Sequence, residues 1–264
     1  MRFGAREVGW AAMNRKLLLR LAGTCVVLLV WQIGGMTGVL GPAIAPPTQV
    51  VSGVVSDGTA FYGLHVPLTV GSAAIGYLWG NLVAIACAAS VVVIPWLERL
   101  VLQIGIASAC VPLIAIAPIL AACFNGPVTS TIMAAVSVFF TTLVGSVNGL
   151  RQVDRSSEDL VRAYGGGRYA VLRKVQLLSA LPSILSAMKI AVPLAMLGTV
   201  IGESMGQERG LGSALVVAQQ ASAVVRTWGI TLVLSLLAGI GFLLVSSVER
   251  IATPWAAGMS KDAA

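Results

Sequence analysis

Charge is what this sequence has least of. Among 264 residues, 10% are charged while 57% are hydrophobic, and the mean hydropathy is +0.92. A soluble domain of this size needs more charge than that. Lipid cannot hydrogen-bond exposed backbone, so only helices or closed barrels cross it. The apolar runs are continuous rather than alternating, which excludes a barrel. The expectation is therefore an all-α, polytopic membrane protein. Other scarcities narrow the chemistry. A single histidine, His65, leaves no Ser-His-Asp triad, and it reads as a loop or interface residue. There is no HExxH and no GxxxxGK[ST], so the chain has no phosphate loop with which to hold ATP itself. Asp and Glu are missing from the centres of the apolar runs. That argues against a proton-coupled carrier, which needs an intramembrane acid as relay. The four cysteines, Cys25, Cys87, Cys110 and Cys123, sit in apolar runs without CxxC spacing. They read as small packing residues rather than disulfide or metal partners. Nothing predicts a metal or a cofactor.

What is present divides into six expected spans: 17–36, 66–93, 101–124, 128–147, 181–201 and 228–248. The basic N-terminus leads into a run long enough to span, which predicts a retained first helix rather than a cleaved leader. Residues 37–65 carry no Lys or Arg; Pro46-Pro47 breaks the chain there, and 49–55 could form a short surface helix. Gly71, Gly76 and Gly80 share a helical face and permit close helix approach in lipid. The third expected span contains Pro112 and Pro118. Residues 203–226 form a loop with one helical piece at 211–221, and 249–264 form a short tail.

The net charge of +7 could suggest nucleic acid, but the basic residues lie between the spans. Fourteen Lys and Arg fall on the side of the termini; Arg209 and Arg226 fall on the other. By the positive-inside rule both termini are expected in the cytoplasm. The expected organisation is a tail over 1–16, one membrane domain over 17–250 and a second tail over 251–264, with a polar cytoplasmic loop at 151–177.

That loop, with its continuation to Pro182, is the longest polar interruption, and it looks folded. Ser156 can cap a helix with Asp159 as its capping-box partner. Glu158 and Asp159 suit the positive end of the helix dipole. Leu160, Val161 and Tyr164 share one face, and Gly165, Gly166 and Gly167 stop the helix. About two turns of helix are unstable alone in water, so this one must dock on something. Docking on a protein groove and lying on the inner leaflet are the two options.

Within the fifth expected span stands Lys189, with Pro193 four residues on removing the hydrogen bond to its carbonyl. Lys189 either snorkels to the headgroups or lines a vestibule that attracts an anion. Glu203, at the other end of that span, is either a solvated loop residue or part of an outer gate.

Taken together these residues resemble the permease subunit of bacterial ABC importers of the binding-protein-dependent type. The family's EAA loop has a glutamate, two alanines, a glycine and a more distant proline. Asp159 stands at the glutamate, Gly165 at the glycine and Pro182 at the proline, and Arg162-Ala163-Tyr164-Gly165 with Arg168-Tyr169 is similar to the nitrate/sulfonate/taurine form. Residues 112–124, Phe139-Phe140, 148–151, Glu203, Gly210-Leu211-Gly212, Gly76 and Gly80 fit the same subfamily. Leu160 and Val161 replace the alanines, and Leu178 stands where many members have a first proline.

The resemblance implies a type I importer-like fold in which the short helix docks on a separate cytoplasmic ATPase subunit. Glu158, Asp159, Leu160, Val161, Arg162, Ala163, Tyr164, Gly165 and Arg168 would make that contact, and Lys189, Pro193 and Glu203 would belong to the path. It implies as partners two ATPase copies, a second copy of this chain and an extracytoplasmic substrate-binding protein. The implied substrate is a small anion such as a sulfonate, taurine or nitrate. Relatives that move pyrimidine vitamin precursors or riboflavin keep a second option open. An ATP-independent carrier and a non-transporting scaffold are the readings from other classes.

Overall fold

In the computed structural model the chain is helical, with no strand among the described residues. These are 4–39, 41–94, 96–124, 126–153, 155–205 and 207–255, with the side chains of Leu19 and of residues from 22 onward except 155. Arg2, Asn125 and Lys261 lie outside what is described, as do the side chains of the tail residues Arg6, Trp10, Arg15 and Lys16. The helices are α1 (Gly4–Thr37), α2 (Pro47–Val93), α3 (Leu97–Cys110), α4 (Leu113–Cys123), α5 (Pro127–Arg151), α6 (Arg155–Ala163), α7 (Arg168–Val171), α8 (Leu177–Glu203), α9 (Leu211–Gln220) and α10 (Val224–Ala252). A π-helical turn, Leu172–Gln176, joins α7 to α8.

Four helical stretches are long and apolar enough to cross a membrane: α2, Arg168–Glu203, α5 and α10. A fifth is counted if α3 and α4 form one broken span, and Ala22–Thr37 of α1 is a shorter apolar helix. The expected third span is not one helix. It bends by 93° between α3 and α4, because Pro112 cannot donate the next helical hydrogen bond and Val111 before it is extended. The expected second span also begins too late. Its helix starts at Pro47, where proline suits the first helical position. It runs on to Val93 with a kink at Gly58, whose φ of 65° leaves the helical region. The anticipated surface helix at 49–55 is the opening of α2, and the last helix continues to Ala252 into what was expected as a tail.

The chain forms two compact units. The first comprises Met1–Gly58 and Ala218–Ile230. Here Trp31 Nε1 donates to the Ala45 carbonyl at 3.1 Å and Trp228 Nε1 to that of Ala43 at 2.8 Å. The two indole rings stand 5.5 Å apart. Arg226 grips the Asp57 carboxylate in a fork at 2.6–3.1 Å.

The second unit comprises Thr59–Val217 and Thr231–Ala264. Its most extensive helix contact is between α5 and α8. Small residues make that contact close: a Cβ on Gly145 would meet Ala187 at 2.3 Å, and one on Gly202 would meet the Ser130 backbone at 2.5 Å. The expected close approach of α2 is present at Gly76 and Gly80, which fit against Ala134 and Val138 of α5; Gly71 faces open space. Buried Asn81 of α2 accepts a hydrogen bond from Thr142 of α5 at 2.6 Å. In lipid, such packing and polar contacts substitute for the missing hydrophobic drive. Cys25, Cys110 and Cys123 are exposed and only Cys87 is half-buried, so most of the cysteines do not pack the interior as expected.

Candidate functional site

The short helix α6 is present and ends as its glycines require. Gly165 has a φ of +80°, open to glycine and strained for a residue with a Cβ. Its N–H donates to the Arg162 carbonyl at 2.9 Å, and that of Gly166 donates to Val161 at 2.9 Å. These two bonds form a Schellman cap that satisfies carbonyls left open by the last turn. Gly166 must itself be small, since a Cβ there would lie 2.7 Å from the Val161 carbonyl oxygen. The start differs from expectation. α6 begins at Arg155, so Ser156 lies inside the first turn and is not the cap.

Glu158 holds α6 to the rest of the segment. Its carboxylate accepts from Gln176 of the π-helical turn at 2.7 Å and from Arg162 at 3.4 Å. Gln176 is buried, so this bond anchors the helix rather than decorating its surface. Beside it, Arg151 at the end of α5 pairs with Glu98 at the start of α3. The side facing away is open. Leu160 is 60% exposed and Tyr164 86%, and Tyr169 of α7 is 67% exposed. Asp159, Arg162, Ala163 and Arg168 are exposed around them, and Val161 is half-buried. An exposed aromatic and aliphatic pair, rimmed by both charge signs and carried on a capped helix, has the composition of an interface core with a polar rim.

The expected path residues fall into two separate clusters. Lys189 is not a free cation: its ammonium pairs with Glu249 of α10. Ser186 donates to the other oxygen of the same carboxylate at 2.5 Å. The Phe242 ring centroid lies 5.9 Å from the Lys189 nitrogen. Glu249, just past the expected end of the sixth span, is the partner that the sequence pattern does not reveal. Pro193 follows one turn later inside α8.

Glu203 is not a solvated loop residue. It ends α8 at 1% exposure. One carboxylate oxygen accepts from Thr69 of α2 at 3.0 Å and from the Gly212 N–H at 2.7 Å; the other is buried without a partner. Thr69 also accepts from the Leu211 N–H at 2.8 Å, and His65 Nδ1 accepts from Gly210 at 3.1 Å. Three successive N–H groups at the start of α9 are thus taken by side chains of α2 and α8, where a carboxylate suits the helix dipole. His65 is accordingly a helix-borne acceptor rather than a loop residue. Gln207 secures the 204–210 connection a second time, donating to the Gly126 carbonyl at 2.8 Å and to Ser130 at 2.9 Å. The sequence contained one cue to this knot: Gly210-Leu211-Gly212 shortly after an acid in an apolar setting. Gly210 is required because a Cβ there would sit 2.5 Å from the Glu203 carboxyl carbon.

The family described as "Binding-protein-dependent transport system inner membrane component" matches residues 80–257. The formylaminopyrimidine transport permease protein ThiX of Halalkalibacterium halodurans is 29% identical, over 87% of this chain and 92% of that protein. The putative aliphatic sulfonates transport permease protein SsuC of Bacillus subtilis is 25% identical, over 96% of this chain and 90% of that protein. An inward-facing structure of the MetNI methionine ABC transporter superposes with a TM-score of 0.62 at 18% identity, over 72% of this chain and 94% of that one, which speaks to the fold. With its several apolar spans, this chain belongs to the binding-protein-dependent transport system inner membrane components, the multi-pass permease subunits of bacterial ABC importers.

Proposed function

We propose that α6 and the start of α7 are the contact through which a separate ATPase subunit drives this permease. The carrying observation is the Schellman-capped helix with Leu160 and Tyr164 exposed beside Arg162, Asp159 and Arg168. Glu158 supports the helix from behind through Gln176. The capped helix would move as a rigid lever, and α8, linked to it through the glycine turn, α7 and the π-helical turn, would carry the motion into the membrane. In this reading residues 151–177 and both termini are cytoplasmic, the 17–250 region is one permease domain, and α1 supplies the sixth span. Two permease copies would enclose the path, two ATPase subunits would bind them, and an extracytoplasmic binding protein would deliver solute. Glu203 would act as a fixed point at the external end, holding the 204–210 connection in place. Purifying the tagged chain from its native membrane and identifying what accompanies it tests the assembly. Recovery of an ATPase subunit is expected; recovery without one, under conditions that preserve complexes, would contradict it.

For the substrate, a small anion such as a sulfonate, taurine or nitrate is the first reading. Its support is the sulfonate permeases among the relatives, together with Arg209, exposed on the 204–210 connection with no carboxylate partner among the described residues. A pyrimidine vitamin precursor is the second reading. It is favoured by a specific observation: Lys189 and Arg226, two cations that could attract an anion, are each paired with a carboxylate. Competition of taurine, an alkanesulfonate and a formylaminopyrimidine for uptake into vesicles separates the two.

A further inference from the structure

We propose that Lys189, Ser186 and Glu249 form a standing clasp that makes α10 travel with α8 during transport. The inference rests on the reading of α6 as the ATPase contact, since it extends the moving body from α8 to α10. Arg168–Glu203 is one continuous helical stretch leading away from α6. Ser186, Lys189 and Val192 follow at intervals of three along α8 and so lie on one face. They meet α10 in antiparallel order. Ser186 and Lys189 reach the two oxygens of Glu249; Lys189 also lies over Phe242; Val192 packs where Gly241 has no side chain, and a Cβ there would approach it to 2.8 Å.

Both oxygens of the carboxylate are used, and the paired side chains are only 23% and 17% exposed. Parting them would strand two charges in a poorly solvated span. The physics therefore favours a contact that stays made over a gate that opens each cycle. An apolar cavity of about 310 Å³ adjoins the Val192–Gly241 contact, lined by Ala195 and Met196 of α8, Leu237 and Ile240 of α10 and Val70 and Tyr77 of α2. Lys189, Ser186 and Glu249 are on this account positioning residues that touch each other rather than the solute.

The test uses the permease reconstituted with its ATPase subunit and binding protein, and reads solute imported per ATP hydrolysed. Lys189→Met and Glu249→Gln are each expected to keep ATP hydrolysis while lowering that ratio about tenfold, and the exchange Lys189→Glu with Glu249→Lys to recover it to within about threefold. An unchanged ratio in the single variants, or no recovery in the exchange, overturns the clasp. A second measurement remains if the single variants fail to insert. Val192→Cys and Gly241→Cys, in a chain whose four native cysteines are serine, are joined by oxidation. Uptake is expected to survive the bond. Failure of the bond to form, or uptake lost on oxidation and restored by reductant, overturns a standing contact. Absence of ATP-dependent uptake in the unmodified assembly would instead overturn the ATPase reading beneath it.

Discussion

Replacing Gly165 isolates the part of the coupling segment that is set by backbone geometry alone. Beyond its two neighbours in the chain, no atom lies within 4 Å of where a Cβ would be added, so Gly165→Ala meets no obstacle from the rest of the protein. Its whole effect is the cost of a left-handed conformation at φ +80°, about 1–2 kcal/mol for an L-residue. Asn tolerates that region better and should cost less. Proline fixes φ near about −65° and also removes the N–H that bonds Arg162, so Gly165→Pro loses the turn and the cap together. A nine-residue helix has little stability of its own to absorb the loss. A cost of 1–2 kcal/mol lowers the population of the capped helix by at most about 5–30-fold. If only that form binds, ATPase affinity weakens by no more than the same factor. Titrating purified ATPase subunit against the detergent-solubilised variants should rank them wild type, Asn, Ala, Pro, with uptake in vesicles following the same order. Wild-type affinity in Gly165→Pro, or Asn as damaging as Ala, would refute the reasoning.

Tyr164→Ala and Leu160→Ala should each weaken ATPase binding about tenfold, because they truncate the exposed centre of the proposed contact; membrane insertion, followed by protease protection, should be unchanged. Gly80→Leu should lower the thermal unfolding temperature in detergent. Its Cβ alone would come within 2.5 Å of the Ala135 carbonyl oxygen, and overpacking of this kind costs about 1–3 kcal/mol. Glu203→Ala leaves the Gly212 N–H without an acceptor and the Thr69 hydroxyl with only the His65 carbonyl at 3.3 Å, a loss of about 1–3 kcal/mol. It should appear as faster proteolysis within 204–210, with Glu203→Gln intermediate.

Much of the fold could be read from local pattern. Apolar length revealed α5, α8 and α10, and the three glycines after Tyr164 marked the end of α6, because caps depend on neighbours in sequence. Gly76 and Gly80 announced a close approach without saying to which helix. The misreadings have a common physical cause. Lys189 and Glu249, and Thr69 and Glu203, are 60 and 134 residues apart, and periodicity carries no information about such pairings. Glu203 therefore left open a solvated loop acid or an outer gate, while a helix N-terminus and a threonine were there to satisfy it. Pro112 was visible, but whether a proline kinks a span or breaks it depends on what packs against the bend. Ser156 and Asp159 had the right spacing for a capping box, yet the helix starts at Arg155, two residues before a cap at Ser156 would allow. The helix expected at 49–55 could be read locally, but not its continuation into α2, whose kink at Gly58 required only a residue tolerant of positive φ.

The most direct test of the central claim is solute uptake into vesicles containing this permease, with the ATPase subunit and the binding protein supplied or withheld one at a time. The account predicts uptake that requires both proteins together with ATP, and that falls when Tyr164 is truncated although the permease is inserted normally. Uptake at an undiminished rate without the ATPase subunit, driven by an ion gradient, would contradict it.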